Sequence, residues 1–366
     1  MASQDTAPDP GLVTSSGDEP PRPRSRVAAA AAALSPAYFP FVMATSIIST
    51  ASFLLGPSWL SRALLVIAAA AFAVLIVTLA IQLACFRPAL AAAFHDPARV
   101  FAFFGVAAAM NVLGLRLASA GHPLVTAVLA AVAAAVWLAL TYGVPASLLL
   151  KRSHDSAVGD VNGTWLLWVV ATESLALAAS TLLPVWPSQA ALLAPAAIGL
   201  WSVGLVLYLL LVSLILLRWL SVPMTPQTLA PPYWILMGAT AITVLAGARI
   251  TGLPAGLAAV RASAGFVEGF SFALWAFGTW WIPLLVVLTT WHHAAQHWPL
   301  RYEPALWSVV FPLGMYSVAT LTFGRVAHLA FTGPLSRFMF WVAVAVWVVV
   351  AAAFILARVR ARRPAA

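Results

Sequence analysis

The chain has 366 residues, of which 63% are hydrophobic and 8% are charged, with 19 Lys and Arg against 10 Asp and Glu. A soluble domain carries roughly 25% charged residues, so this composition excludes a soluble globular protein and predicts an integral membrane protein. The basic residues are scattered at segment ends, which argues against a nucleic-acid surface and for a role in topology. Cys85 is the one cysteine, so one chain cannot form an internal disulfide or a multi-thiolate metal site.

Residues 1–36 are rich in Pro, Ser, Asp and Arg, which predicts a disordered cytoplasmic tail. Beyond this tail, ten apolar stretches are separated by short breaks at Pro, Gly or charged residues. They fall at about 38–55, 63–83, 100–115, 124–148, 165–183, 190–217, 234–250, 266–286, 307–324 and 338–357. Short breaks make sequence neighbours antiparallel neighbours, so we expect an all-α protein of five helical hairpins. Residues 37–358 would form one ten-helix transmembrane domain, and residues 359–366 a basic cytoplasmic tail.

The distribution of basic residues predicts the orientation of the chain. With the amino terminus inside, 13 of the 19 basic residues fall on the cytoplasmic side. The positive-inside rule then places both termini in the cytoplasm of a multi-pass protein of the inner, or plasma, membrane. Asn162-Gly163-Thr164 matches a glycosylation acceptor, but in this orientation it is cytoplasmic. We therefore interpret Asn162 or Thr164 as the cap of a helix.

Polar residues are unevenly distributed among the ten stretches. The odd-numbered stretches contain 17 Ser, Thr, Asn, Gln or Glu residues in 88 positions, and the even-numbered stretches contain 10 in 115. Because lipid offers such side chains no hydrogen bonds, we expect odd helices inside, lining a polar path, and even helices facing lipid. The candidate path-lining residues are Thr45, Ser49, Ser52, Asn111, Ser180, Thr240, Thr243, Ser317 and Thr320. The alternative is that these side chains serve close packing and hydrogen bonding between helices.

Arg116, Arg249 and Arg325 all fall at the outer ends of odd stretches. Cations are favourable at the carbonyl ends of helices, and long side chains can reach the membrane surface, which would explain these positions without a function. The alternative is an outer vestibule in which the three arginines raise the local concentration of anions.

Glu173 lies near the centre of the fifth stretch. An ionised carboxylate in a membrane costs about 2.5–3.5 kcal/mol even on the more lenient insertion scale, so desolvation favours the neutral acid. Two hypotheses remain open. Glu173 is either protonated or paired and structural, or it is a proton site that couples anion movement to protons.

The sequence offers no pattern of a metal site or an enzyme. His293 and His297 have the i, i+4 spacing of metal ligands, with His292 adjacent, but no acidic or thiolate partner accompanies them. We find no phosphate-binding glycine loop, nucleophile elbow or paired carboxylates, and no histidine in the middle of a stretch that would hold haem. We therefore expect no cofactor, no metal and no enzymatic activity.

Four short segments carry a family resemblance. They are Tyr38-Phe39-Pro40-Phe41-Val42-Met43-Ala44-Thr45, Asn162-Gly163-Thr164-Trp165-Leu166-Leu167, Thr279-Trp280-Trp281-Ile282-Pro283 and Phe311-Pro312-Leu313-Gly314-Met315-Tyr316. In this order they resemble the tellurite-resistance and dicarboxylate transporter family, which includes plant slow-type anion channels and fungal malate and sulfite transporters. The resemblance covers all ten stretches. It implies five hairpins around a pseudo-fivefold axis, odd helices lining a central pore, and homotrimers in which each protomer has its own pore.

The same resemblance implies a pore gate. In the channel branch of the family a phenylalanine of the ninth helix blocks the pore, and Phe311 matches it, with Phe323 as a second candidate. A phenyl ring across a narrow apolar lumen obstructs ions and discourages wetting, whereas an ordinary packed aromatic beside Pro312 is the alternative. A glutamine is commoner in the family at the position of Glu173. Two functions therefore stay open: a gated channel for small inorganic or carboxylate anions, and a proton-coupled carrier for dicarboxylate, tellurite or sulfite.

Overall fold

The computed structural model describes residues 36–150, 157–223, 231–291 and 302–362. Over these ranges the chain forms α-helices and short 3-10 turns, with no β-strand. Ten long helices coincide with the ten predicted stretches: α1 Phe39–Leu55, α2 Ser58–Cys85, α3 Phe104–Ser119, α4 Pro123–Leu150, α5 Leu167–Leu182, α6 Ala190–Ser221, α7 Ile235–Thr251, α8 Ala258–Thr290, α9 Trp307–Val326 and α10 Thr332–Arg362. The protein is therefore an all-helical, multi-pass membrane protein.

Three differences from the predicted boundaries stand out. A short helix, Arg87–Phe94, follows α2 where the apolar pattern predicts none, because eight residues are too few for a membrane crossing. Helix α10 continues to Arg362, four residues into the predicted carboxyl-terminal tail. The predicted amino-terminal tail, up to residue 35, and the three histidines at 292, 293 and 297 lie outside the described residues.

The odd and even helices differ in length. The odd helices have 16–20 residues, and the even helices have 28–33. At 1.5 Å per residue the odd helices are about 24–30 Å long, no longer than a hydrocarbon core of about 30 Å, whereas the even helices, at about 42–50 Å, extend beyond it at their ends. In the described part of the chain, nine helical segments are long and apolar enough to cross a membrane, and α1 is shorter, with 17 residues.

Burial separates the two sets. In the most apolar stretch of the segments that contain α3, α5, α7 and α9, 78–89% of residues are buried, against 17–39% for the five even helices. Helix α1 belongs with the buried set, since 13 of its 17 residues are buried. The prediction that the odd helices are interior and the even helices form the outer layer is confirmed.

The odd helices contact one another in a closed circuit. α1 packs against α3, α3 against α5, α5 against α7, α7 against α9, and α9 against α1. Each odd helix also packs along the even helix that follows it in the chain. Contacts between the first turns of neighbouring odd helices are Gly105 of α3 with Phe39 of α1, and the Trp307 ring of α9 with the Phe41 ring of α1, whose centroids are 4.6 Å apart. The odd helices they join therefore run in the same direction.

Hydrogen bonds from indoles connect each of four even helices to the odd helix of the next pair. The four bonds are Trp137 of α4 to the Thr172 hydroxyl of α5 (2.8 Å), Trp201 of α6 to the Thr243 carbonyl of α7 (2.9 Å), Trp275 of α8 to the Thr320 hydroxyl of α9 (3.1 Å) and Trp347 of α10 to the Thr45 hydroxyl of α1 (3.1 Å). We call these four contacts the indole bonds. A buried indole N–H requires an acceptor, and in lipid the only acceptors are on other helices.

The turn before α5 confirms the predicted cap. The Asn162 side chain accepts hydrogen bonds from the backbone N–H of Thr164 (2.9 Å) and from its hydroxyl (2.6 Å). Gly163 lies directly against the backbone of Pro232 and Tyr233, so a side chain at this position has no room. The Asn-Gly-Thr motif therefore starts one helix and holds it against the turn that precedes α7.

Candidate functional site

The contacts of α9 determine which of its faces turns inward, because successive residues of a helix are about 100° apart around its axis. Four contacts mark the neighbours: Pro312 against Gly238 of α7, Thr320 against Trp275 of α8, Ser317 against Ser336 of α10, and Gly314 against Ile47 of α1. Together they cover roughly 200° of the circumference. The remaining face, between α1 and α7, contains Phe311, Met315 and Thr322. This face turns toward the middle of the circuit of odd helices.

Phe311 is held by its neighbour in sequence. Pro312 has no backbone N–H and interrupts the hydrogen bonds of α9. Its ring packs where Gly238 has no side chain, since a Cβ at Gly238 would lie 2.8 Å from the Pro312 Cγ. This contact fixes the height and rotation of α9 beside α7. Phe311 itself is 1% exposed.

Phe323, the second gate candidate, points in another direction. Its ring centroid lies 6.2 Å from that of Phe272 and 6.4 Å from that of Trp275, both on α8. Phe323 therefore packs against an outer helix, and Phe311 is the one of the two whose face of α9 is turned inward.

Most of the hydroxyl residues selected as path-lining candidates contact even helices. Thr45 and Thr320 accept the indole bonds. Ser49 exchanges hydrogen bonds with Ser61 of α2 (2.6 and 2.7 Å), Ser317 exchanges them with Ser336 of α10, and Thr240 lies against Gly278 of α8. For these five residues the contacts favour the alternative prediction, that hydroxyls hold helices together.

The other candidates differ in their partners. Ser52 donates to the Pro57 carbonyl in the turn after α1, whereas Ser180 and Thr243 donate to carbonyls of their own helices. Asn111 donates to the Ser174 hydroxyl at 2.9 Å and so joins α3 to α5, but its side-chain oxygen has no partner among the described residues.

Ser46 is a polar group that the candidate list omits. It is fully buried on α1, and its hydroxyl has no hydrogen-bond partner among the described residues. It follows Thr45 in sequence and therefore lies about 100° around the helix from the residue that contacts α10. Thr322, half-buried on the inward face of α9, is another omission. The sequence signal that would distinguish these residues from Thr45 and Thr320 is their angular position on the helix: they do not share the face that meets the tryptophans of the even helices.

The three arginines predicted at the outer ends of odd helices lie in three different environments. Arg116 is buried, with its Nε and Nη2 donating to the hydroxyls of Ser49 and Ser61 at 2.9–3.2 Å and its guanidinium 4.6 Å from the centroid of the Phe53 ring. Its Nη1 has no partner among the described residues. Arg325 is exposed at the end of α9, in a cleft that also contains Arg337.

Arg249 points away from the outer layer of even helices. Gly247 packs against Ser271 of α8, and two residues further along the helix correspond to a rotation of about 200°. Arg249 therefore leaves α7 on the side away from α8. It is half-buried, and its Nε has no hydrogen-bond partner among the described residues.

Glu173 is fully buried, and its carboxyl lies against the backbone of α6. A Cβ at Gly204 would lie 2.7 Å from the Glu173 Cδ and 2.8 Å from its Cγ. The Thr243 hydroxyl of α7 is close on the other side, but its proton is donated to the Ala239 carbonyl at 2.9 Å. Neither carboxyl oxygen receives a hydrogen bond from a described residue. Glu173 thus sits in the wall between α5, α6 and α7.

The comparisons with known proteins agree with this architecture. The chain matches the voltage-dependent anion channel family over residues 33–355. It is 50% identical over 143 residues to an uncharacterized membrane protein of Mycobacterium tuberculosis, which covers 39% of this chain and 72% of that protein. It is 23% identical over 202 residues to an uncharacterized transporter of Methanocaldococcus jannaschii, which covers 54% of this chain and 56% of that protein. The chain therefore belongs to the voltage-dependent anion channel family.

Proposed function

We propose that the protein conducts small inorganic or carboxylate anions across the membrane through a path enclosed by the five odd helices. The helices would form five hairpins around a pseudo-fivefold axis, with Phe311 obstructing the path. Family membership and the closed circuit of buried helices support this proposal. The observation that carries it is the position of Phe311 on the face of α9 between the contacts with α1 and α7.

The physical basis of the obstruction is steric and dielectric. An aromatic ring in a narrow lumen blocks an ion directly, and its apolar surface disfavours the water that would accompany the ion. Arg249 would attract anions at the outer end of the path, since a half-buried guanidinium with no carboxylate partner among the described residues creates a positive local potential. Asn111 and Thr322 would offer polar groups along it.

The test of the proposed gate is anion flux in proteoliposomes. Replacing Phe311 by Ala should raise chloride or nitrate flux by about tenfold or more, which corresponds to a barrier lowered by about 1.4 kcal/mol. Phe323→Ala is the matched control: it removes a buried ring of the same helix that packs on α8, so it should leave the flux unchanged. A Phe311→Ala protein that is destabilised by the 3–5 kcal/mol typical of a core aromatic, with no gain in flux, would make Phe311 a packing residue.

We infer a second candidate function, proton-coupled transport of a dicarboxylate, tellurite or sulfite, from Glu173. A fully buried carboxyl whose oxygens accept no hydrogen bond from the described residues costs stability, and such groups in membranes usually serve a function. In this mechanism Glu173 would take up and release a proton in the wall of the path.

Uptake driven by a pH gradient distinguishes the two candidates. A carrier should lose gradient-driven uptake in Glu173→Gln, whereas a channel should conduct in proportion to anion concentration with and without the gradient. Malate, sulfite, tellurite, chloride and nitrate are the substrates to compare, and tellurite tolerance of expressing cells is a separate readout.

The assembly and the orientation also belong to this proposal. We propose a homotrimer in the plasma membrane, with a path in each protomer and with both termini in the cytoplasm. Native mass spectrometry in detergent measures the number of chains, and protease protection of tagged termini in inverted vesicles measures the orientation. A monomer that keeps full flux would exclude the trimer as a requirement for transport.

A further inference from the structure

A cleft of about 600 Å³ lies where α9 ends, α10 begins and α1 ends. It opens on the surface of the protein, and its lining includes none of Phe311, Met315 and Thr322. Its lining includes two arginines and two large aromatic side chains, Arg325, Arg337, Phe338 and Trp341, together with leucines of α1 and α9 and the first turn of α10. The lining therefore has a cationic part, the two arginines, and an apolar part.

Neither arginine has a charge partner among the described residues. Both are exposed, and no hydrogen bond or ion pair joins either guanidinium to another of the described residues. Among the described residues, the lining contains no carboxylate. Two guanidiniums that share one cleft favour an anion with several oxygens, because each presents a planar fork of N–H donors that matches a phosphate.

The apolar half of the lining continues into the outer surface of α10. Phe338 is 64% exposed and Trp341 is 51% exposed, and further along the same helix Val348 and Val349 are also exposed. Helix α10 has 31 residues, or about 46 Å, which exceeds a hydrocarbon core of about 30 Å. Arg337 is the sixth residue of this helix, so it lies near the level of the lipid headgroups.

We propose that this cleft binds an anionic phospholipid. The phosphate would be held by Arg325 and Arg337, and an acyl chain would lie along Phe338 and Trp341 toward the exposed valines. A free inorganic anion shares the phosphate chemistry but would contact only the cationic part and leave the apolar part uncovered. The proposal gives Arg325 a role at the membrane surface instead of in a vestibule, and it is independent of how the protein transports ions.

The test compares lipids with the same acyl chains by native mass spectrometry of the full-length protein released from detergent. Phosphatidylglycerol should remain bound at activation energies that remove phosphatidylcholine. Each basic residue near a membrane surface contributes about a fivefold preference for anionic lipid. In the Arg325→Gln, Arg337→Gln double variant, the preference for phosphatidylglycerol over phosphatidylcholine should therefore fall by about 25-fold. The Arg325→Lys, Arg337→Lys variant keeps the charge and should retain most of the preference for phosphatidylglycerol.

The matched control is Arg62→Gln with Arg261→Gln, which removes two exposed arginines predicted on the same side of the membrane but outside the cleft. It should bind phosphatidylglycerol as the unchanged protein does. The proposal would be overturned if the unchanged protein retained the two lipids equally. It would also be overturned if the control variant lost as much of the preference for phosphatidylglycerol as the Arg325→Gln, Arg337→Gln variant. Displacement of the lipid by millimolar inorganic phosphate would assign the site to free anions. A change in the number of chains in the double variant would assign the cleft to a second copy of the chain.

Discussion

The contact between Gly204 of α6 and the Glu173 carboxyl of α5 allows a quantitative prediction. In the interior of a helix Gly→Ala normally stabilises by about 1 kcal/mol. Here the added Cβ would lie 2.7 Å from the Glu173 Cδ and 2.8 Å from the Cγ, well inside the ordinary contact distance of about 3.5–4 Å. Overpacking a buried site costs about 1–3 kcal/mol. Gly204→Ala should therefore be neutral or destabilising by up to about 2 kcal/mol, the sum of the two opposing effects.

Whether Gly204→Ala stabilises or destabilises the protein depends on the residue at position 173. In Glu173→Ala the Cγ, the Cδ and both oxygens are gone, so the same Gly204→Ala change should stabilise by about 1 kcal/mol. The coupling free energy between the two positions is then about 1–3 kcal/mol. It is measured as a double-mutant cycle by titrating the micellar protein with sodium dodecyl sulfate and following helix content by circular dichroism.

Gly199 provides the matched control on the same helix, because a Cβ there meets no atom within 4 Å. Gly199→Ala should have the same small effect in both backgrounds. A coupling free energy below about 0.5 kcal/mol between positions 204 and 173 would refute the close approach of the carboxyl to α6.

Three further predictions concern contacts between helices. Gly163→Ala places a Cβ 2.6 Å from the backbone nitrogen of Tyr233, and since backbone cannot rotate away we expect loss of folded protein on size exclusion, whereas Gly159→Ala, with open space around it, should fold normally. The Trp275→Phe, Thr320→Val cycle should give a coupling of about 0.6–1.7 kcal/mol, and additive effects would mean that this indole bond contributes nothing. Arg116→Gln should lower the free energy of unfolding by about 1.5–3 kcal/mol without changing anion flux, so a drop in flux at unchanged stability would assign this arginine to the outer mouth.

The positions of the helices are predictable from hydropathy alone, because each apolar stretch long enough to cross lipid must pair its backbone groups internally. The inner and outer layers are also predictable. The polar content of the odd stretches predicted burial, and the burial of α3, α5, α7 and α9 confirms it. The short helix Arg87–Phe94 was not predictable in this way, since its eight residues leave no span-length signal.

The directions of the polar side chains were the part that the sequence could not settle. A Ser or Thr that faces an indole and one that faces a water-filled path look the same in the sequence, since both are single hydroxyl residues in an apolar helix. The contacts assign Thr45 and Thr320 to the indoles of Trp347 and Trp275. Their partners come from helices distant in sequence, so only the packed structure distinguishes them from Ser46, whose hydroxyl has no partner among the described residues.

The indole bond between Trp347 and Thr45 joins residues separated by 302 positions. During synthesis α1 enters the membrane long before α10 exists, so the side of α1 that carries Thr45 must face lipid or a membrane chaperone until the last helix has been inserted. Helix α1 also has 17 residues, or about 26 Å, and buries five Ser and Thr side chains, so it is poorly suited to remain in lipid alone. Assembly should therefore end with one late closing step, and chains that stall before α10 should be recognised as unfinished by membrane proteases.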